Sequence, residues 1–208
     1  MTKVLITYYS SYGHIFKMAQ SAAEALKDNQ DFEVKLSKIP ELEAARKGMS
    51  SQAAYVEAQK AQADIKEATH ADLEWADGIV WGIPTRFGNM PAQVKQFIDT
   101  AGGLWAKGAL EGKVTGIMSS TNTVHGGQES TILSSLIPLL HLGMIFVGSP
   151  YGENKELSEF KLQGGTPYGP STIAGGDGSQ MPTDGDLNMA KRLAERVAKV
   201  ASGVKEVY

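Results

Sequence analysis

The sequence predicts an α/β protein, a doubly wound parallel sheet with helices packed on both of its faces. Two observations carry that expectation. Short apolar runs alternate from end to end with segments whose apolar residues recur at helical spacing, the pattern of strand–helix–strand units. Most of these runs are apolar throughout, as strands buried on both faces require. A third feature says where function should lie: the three least ordinary segments of the chain each follow one of these runs directly.

The first strand is the run Val4, Leu5 and Ile6. A polar turn, Ser10, Ser11, Tyr12 and Gly13, leads into a helix striped by Ile15, Met18, Ala19, Ala22 and Leu26 and fading near Asn29. Strand, hydroxyl-rich turn and helix in that order leave backbone N–H groups free at a helix N-terminus, where they and the helix dipole suit a phosphate. Neither GxGxxG nor GxxxxGK[ST] occurs, which sets aside the dinucleotide fingerprint and the triphosphate loop. A short Ser-rich loop with one glycine fits a single phosphomonoester, as in FMN, with Ser10 as a hydroxyl donor. Serines before a helix are also ordinary N-caps, so this loop alone decides nothing.

Residues 32–37 alternate Phe, Val and Leu with charges and read as a more exposed strand near a sheet edge, ended by Pro40. Residues 41–69 carry a weak apolar stripe and read as a surface excursion with room for helical pieces, to which no chemistry is assigned. Residues 72–76 form a short helix, offering Leu73 and Trp75 for packing. The buried strand at 78–83 then runs into Pro84, Thr85, Arg86, Phe87, Gly88 and Asn89. Asn89 is expected to cap the next helix, with Pro91 in its first turn, Val94, Phe97 and Ile98 as its face, and Gly102 and Gly103 closing it.

A fourth strand at 113–120 leads into Thr121, Asn122, Thr123, Val124, His125, Gly126 and Gly127. The following helix carries Ile132, Leu133, Leu136, Ile137 and Leu140, with a bend at Pro138, and residues 144–147 make the fifth strand. Residues 149–181 are glycine-rich and aperiodic, and loops of that length are usually functional or disordered. Thr183 and Asp186 should cap a last helix striped by Leu187, Ala190, Leu193, Val197 and Val204.

Composition narrows the function classes. The 208 residues suffice for one domain with a sizeable core, and 42% hydrophobic with 21% charged residues is ordinary for a globular protein. A net charge of −3 offers no basic surface for nucleic acid and no polybasic membrane signal. The absence of cysteine excludes thiolate chemistry and iron–sulfur ligation, and no histidine–carboxylate set has metal-ligand spacing. Met1, Thr2 and Lys3 lead straight into a strand, and the apolar stretch 136–147 is too short to span a bilayer, so a cytoplasmic location is expected.

In doubly wound folds ligands sit beyond the carboxyl ends of the strands. The three unusual loops follow strands one, three and four, so they should converge there, and that convergence is stronger evidence than any one loop. Pro84, Thr85, Arg86 and Phe87 supply a rigid turn, N–H groups, a guanidinium and an aromatic ring, which are what a flavin ring needs; positive potential near N1 and O2 favours its anionic reduced form. The same residues also read as a plain proline turn with a surface arginine. His125 is either a ligand donor or solvated, and His141 either a satisfied core histidine or a residue of the pocket edge. Tyr12, Phe87 and Trp105 could stack on planar rings or serve as core or interface residues.

Five segments together closely resemble the WrbA family of FMN-dependent NAD(P)H:quinone oxidoreductases: residues 10–15, residues 84–90, Gly102-Gly103-Leu104-Trp105, His125-Gly126-Gly127-Gln128-Glu129, and Gly164-Gly165-Thr166-Pro167-Tyr168-Gly169 with Ala174-Gly175-Gly176-Asp177-Gly178. The resemblance runs from the first strand to about Gly178. It implies a flavodoxin-like five-stranded parallel sheet of order 2-1-3-4-5, a homotetramer, and two-electron reduction of quinones by NAD(P)H in ping-pong fashion, with the flavin and no side chain carrying the chemistry. It places Ser10, Ser11, Tyr12, Gly13, His14 and Ile15 on the FMN phosphate. Thr85, Arg86 and Phe87, flanked by Pro84 and Gly88, would lie on the isoalloxazine. Ser120, Thr121, Asn122, Thr123, Val124, His125 and Gly126 would line the flavin, with His141 near its pyrimidine edge. Tyr12 would also contact the nicotinamide nucleotide and Trp105 the quinone, while residues 164–178 resemble a family loop that helps build tetramer and pockets. The chain departs from the family in a longer, less glycine-rich 121–125 loop and over residues 41–69. A one-electron carrier and a non-enzymatic flavoprotein are the rival readings.

Overall fold

The computed structural model describes residues 1–205. Five strands lie side by side in the order β2-β1-β3-β4-β5, where β1 is Thr2–Tyr8, β2 Phe32–Lys38, β3 Gly78–Pro84, β4 Val114–Thr121 and β5 Ile145–Phe146. Every pairing is parallel, with Ile6 opposite Val80 and Val80 opposite Gly116 at the centre. The expected order is observed. Each central strand outruns its apolar run, because ladder hydrogen bonds continue wherever a neighbour runs alongside, whatever the side chain.

The alternation of side chains divides the core in two. Val4, Ile6, Tyr8 and Val80 face α1 (His14–Lys27) and α8 (Asp184–Val204), whose Met18, Ala22, Leu193 and Val197 close that layer. Leu5, Ile79, Trp81 and Ile117 face the other way, against Leu73 of α4 (His70–Trp75), Phe97 of α5 (Ala92–Asp99), Leu104 of α6 (Gly102–Ala106) and Ile132 of α7 (Gln128–His141). The predicted cap of α8 is a capping box: the Asp186 N–H donates to Thr183 Oγ1 at 3.2 Å, and the Thr183 N–H to the Asp186 carboxylate at 3.0 Å. None of the helices among the described residues is long and apolar enough to cross a membrane.

Several boundaries differ from expectation for local reasons. Pro91, not Asn89, is the N-cap of α5; the Asn89 side chain instead accepts the Met90 N–H at 2.7 Å. That helix ends at Asp99, where the Thr100 hydroxyl turns back to donate to the Gln96 carbonyl at 2.9 Å, so Gly102 and Gly103 open α6 and do not close α5. The excursion at 41–69 does hold helical pieces: α2 (Glu43–Met49), which buries nothing, and α3 (Ala53–Ala61), which buries only Tyr55 and Ala58.

The largest difference is a sixth strand, β6 (Ser171–Ile173), inside the segment read as aperiodic. It pairs with Ser119, Ser120 and Thr121 at the end of β4, whereas β5 pairs only with Val114 and Thr115 at its start. One edge position is thus filled by two short strands, and the chain between them leaves the sheet and returns. Three residues show no period in a sequence, so this strand was invisible there.

Candidate functional site

At the carboxyl edge of the sheet lies a cleft of about 690 Å³, within the range of small-molecule sites. All three loops reach it. Ser10, Ser11, Tyr12, His14 and Ile15 come from the first, Pro84, Thr85, Arg86 and Phe87 from the second, and Ser120, Asn122, Thr123 and Gly126 from the third. Ala174, Gly176, Asp177 and Gly178 close a fourth side, anchored by the Ala174 N–H donating to the Thr121 carbonyl at 2.7 Å. Gln52 and Ala54, beside the start of α3, make up a wall that the sequence pattern did not announce.

The first loop is built for an anion. Gly13, at φ +93°, is the N-cap of α1, and its left-handed backbone turns the chain into the helix. Its N–H donates to Ser10 Oγ at 3.1 Å, which orients that hydroxyl and leaves its proton to donate onward. Among the described residues, the amides of Ser11, Tyr12, His14 and Ile15 find no acceptor in the protein. Free N–H groups at the start of a 14-residue helix suit a phosphate. The His14 ring is buried beneath the loop, and its Nε2 has no hydrogen-bond partner among the described residues. These donors fit the phosphate of FMN, and no Lys or Arg stands within the loop itself.

The second loop is a tight turn closed at both ends, Arg86 N–H to Asn89 O at 2.7 Å and Asn89 N–H to Arg86 O at 3.1 Å. Phe87 and Gly88 at its tip have φ of +54° and +79°. Gly88 itself does not line the cleft; its N–H buttresses the turn by donating to Thr85 Oγ1 at 3.1 Å. Arg86 crosses to the first loop, where its Nη2 donates to Ser11 Oγ at 2.9 Å. Ser11 in turn donates to Tyr9 Oη at 3.1 Å, and Tyr9 to Glu41 Oε2 at 2.8 Å. A hydrogen-bonded chain therefore joins the cleft to the excursion at 41–69.

Several expected residues stand elsewhere. Thr121 is buried beneath the third loop, its hydroxyl donating to the Thr123 carbonyl at 2.8 Å, while Val124 and His125 are exposed at the loop's tip and turned away from the cleft lining. Trp105 and His141 are further off. The α5–α6 and α7 segments each start at the cleft edge and cross to the opposite edge, where β4 and β5 begin. The Gly112 N–H donates to the Gly143 carbonyl there at 3.0 Å, drawing the two segment ends together. Trp105 and His141 are exposed on that side, and neither lines the cleft of its own chain.

Burial dominates the titration of His14, holding its pKa below the usual 6.5, and the backbones of Gly178 and Gln180 oppose it in part. In the unfolded chain the same ring takes a proton near pH 6.5, so acidification favours unfolding. Stability of the ligand-free protein should therefore fall as the pH drops below about 6.5, before the carboxylates titrate. Urea unfolding across that window checks this, and His14→Asn should flatten the slope.

The model of the NADPH-dependent FMN reductase family matches residues 3–154. A protein of Aromatoleum aromaticum named NAD(P)H dehydrogenase (quinone) is 49% identical over 205 residues, 97% of each chain. One of Geotalea uraniireducens with the same name is 46% identical, over 96% of this chain and 98% of its own. Among solved structures, a flavodoxin, WrbA-like protein from Agrobacterium tumefaciens superposes with a TM-score of 0.67 over 98% of this chain and 99% of that one, at 23% identity. An archaeal flavodoxin does so at 0.61 over 97% of this chain and 99% of its own, at 17% identity. The two structures share the fold. With a family model spanning most of the chain and relatives near half identity over almost all of it, the chain belongs to the NADPH-dependent FMN reductase family.

Proposed function

We propose that the protein is an FMN-dependent NAD(P)H:quinone oxidoreductase acting in the cytoplasm. One observation carries the cofactor: at the start of α1, four residues that line the cleft have amides without an acceptor among the described residues, and the other two loops wall the same cleft. The relatives' name, NAD(P)H dehydrogenase (quinone), supports the reaction. When bound, FMN supplies a ring that accepts a hydride from NAD(P)H and then passes both electrons to a quinone, in ping-pong order.

The chain's own residues position and exclude. The first loop holds the phosphate. Pro84 and Thr85 set the backbone against which a ring system lies, and the Arg86 guanidinium supplies positive potential beside it. Tyr12, whose hydroxyl donates to Gln52 Oε1 at 2.7 Å, stands on the open rim where the nicotinamide nucleotide would approach.

The site is completed by assembly. Leu133, Ile137 and Leu140 form an exposed apolar stripe on α7, with Trp105 and His141 on the same side of the fold. A homotetramer would cover that stripe and carry Trp105 and His141 of one subunit to the cleft of another, which reconciles their assignment to quinone and flavin with their distance from their own cleft.

The test uses FMN-loaded protein with NADPH and benzoquinone. Double-reciprocal plots at several fixed quinone concentrations should be parallel, and light scattering should give four times the chain mass. Intersecting plots would replace ping-pong by a ternary complex. Absence of turnover despite bound FMN would leave a flavoprotein that is not a reductase.

A further inference from the structure

Residues 41–69 are thinly packed, yet three of their hydrogen bonds meet at one place. Gln59 Nε2, on α3, donates to the Ser10 carbonyl at 3.0 Å and to the Ser11 carbonyl at 3.2 Å. Gln62 Nε2, just beyond the helix, donates to the Ser10 carbonyl at 3.0 Å and is itself fully buried. A surface excursion with little core of its own thus applies three of its few buried contacts to the backbone of the first loop.

The consequence follows from the peptide group. In a planar trans peptide the N–H of one residue points away from the C=O of the residue before it. Holding the Ser10 and Ser11 carbonyls toward the glutamines therefore turns the N–H groups of Ser11 and Tyr12 the opposite way. The glutamines line a second cavity, of about 490 Å³, which does not include Tyr12 or the other loops. Ser11 and Tyr12 line the cleft and not this cavity, and among the described residues their two amides have no acceptor.

Orientation matters more here than in a basic site. A lysine attracts a phosphate over a wide range of geometry, whereas a peptide dipole does so only when aligned. Residues 10–15 contain no lysine or arginine, so alignment is what the loop has to offer.

We propose that Gln59 and Gln62 are positioning residues for the cofactor's phosphate, acting through the peptide planes at Ser10–Ser11 and Ser11–Tyr12. This rests on the FMN reading above. It assigns a function to a segment in which the sequence showed none, and it makes the loop's anion affinity depend on two glutamines at the far end of α3.

FMN and riboflavin differ by the phosphate alone, so their affinity ratio reads the phosphate site directly. The experiment titrates the apoprotein with each flavin by fluorescence quenching, for the wild type, Gln59→Leu and the double variant Gln59→Leu/Gln62→Leu. Hydrogen bonds to a charged group are strong, so the ratio of FMN to riboflavin affinity should fall at least about tenfold in the double variant and by less in the single one. Riboflavin affinity itself should stay within about twofold. Equal weakening of both flavins would assign the glutamines a packing role and overturn the proposal, as would an unchanged ratio. Should the double variant fail to fold, the half-buried Gln59→Leu alone decides, since it removes two of the three bonds. A wild type that binds neither flavin would refute the cofactor reading itself, a result distinct from a wild type that prefers FMN and variants that prefer it equally.

Discussion

Replacing Gly169 by alanine is expected to cost about 3 kcal/mol or more of stability, enough to threaten folding of a protein with an ordinary margin. A Cβ built there would stand 2.0 Å from the Ile117 carbonyl oxygen. That oxygen belongs to the central strand β4 and has no rotamer to escape by. The next residue, Pro170, accepts the Ser119 N–H at 2.9 Å, so displacing residue 169 also pulls β6 off the sheet edge. The carboxylate of Asp186 ties the same region together, accepting from the Gly164 N–H at 3.1 Å and from Thr172 Oγ1 at 2.9 Å. Because β6 leads directly into the cleft wall at 174–178, FMN binding should weaken together with stability. Gly176→Ala is the control. Nothing lies within 4 Å of its added Cβ, and its effect on urea unfolding should stay within about 0.5 kcal/mol. Equal midpoints for the two variants would mean that the β4–β6 edge contributes little.

The sheet and its loops were legible because burial on both faces leaves a strong signal. Ile79, Val80 and Trp81 are all fully buried, and in a chain of this kind an unbroken apolar run of that length fits a central strand better than any surface element. The cap at Thr183 and Asp186 was legible for a different reason, since a capping box is local chemistry and needs no knowledge of the rest of the fold. What sequence could not supply was whatever depends on where a segment ends up. The strand β6 is three residues long and owes its existence to a vacant sheet edge, not to its own composition. Asn89 looks like a cap and is drawn instead into the turn at Arg86, whose closure takes its backbone.

The candidate site divides along the same line. Most residues of the three loops line the cleft, because strand–loop–helix connectivity alone sends them to the carboxyl edge. Trp105 and His141 do not, because helices return to the far edge before the next strand begins, a constraint the same connectivity imposes. Gln59 and Gln62 went unnoticed in a stretch of Ala, Gln and Lys, since a glutamine shows its value only once the carbonyl it serves is known.

Phe87→Gly should move stability and function in opposite directions. The residue holds φ +54°, where a β-carbon is strained by about 1–2 kcal/mol, and glycine accepts that geometry freely. Its ring is fully exposed, at 104% relative accessibility, so within the chain it contributes no packing that could offset the strain. Glycine's greater freedom in the unfolded chain reclaims part of the gain, so the isolated subunit should be stabilised by up to about 1 kcal/mol in urea. A conformation held against its own cost at the rim of a cleft points to use of the ring there, against the bound ring system or a neighbouring subunit. Loss of a buried aromatic contact of about 2 kcal/mol corresponds to a fall of roughly 30-fold in kcat/KM for benzoquinone, or in FMN affinity if the ring contacts the cofactor. Phe87→Ala separates the two effects, since it removes the ring and keeps a β-carbon in the strained region: it should lose the same activity with no gain in stability. Full activity in Phe87→Gly would show that the turn at Arg86–Asn89 is needed only for its backbone.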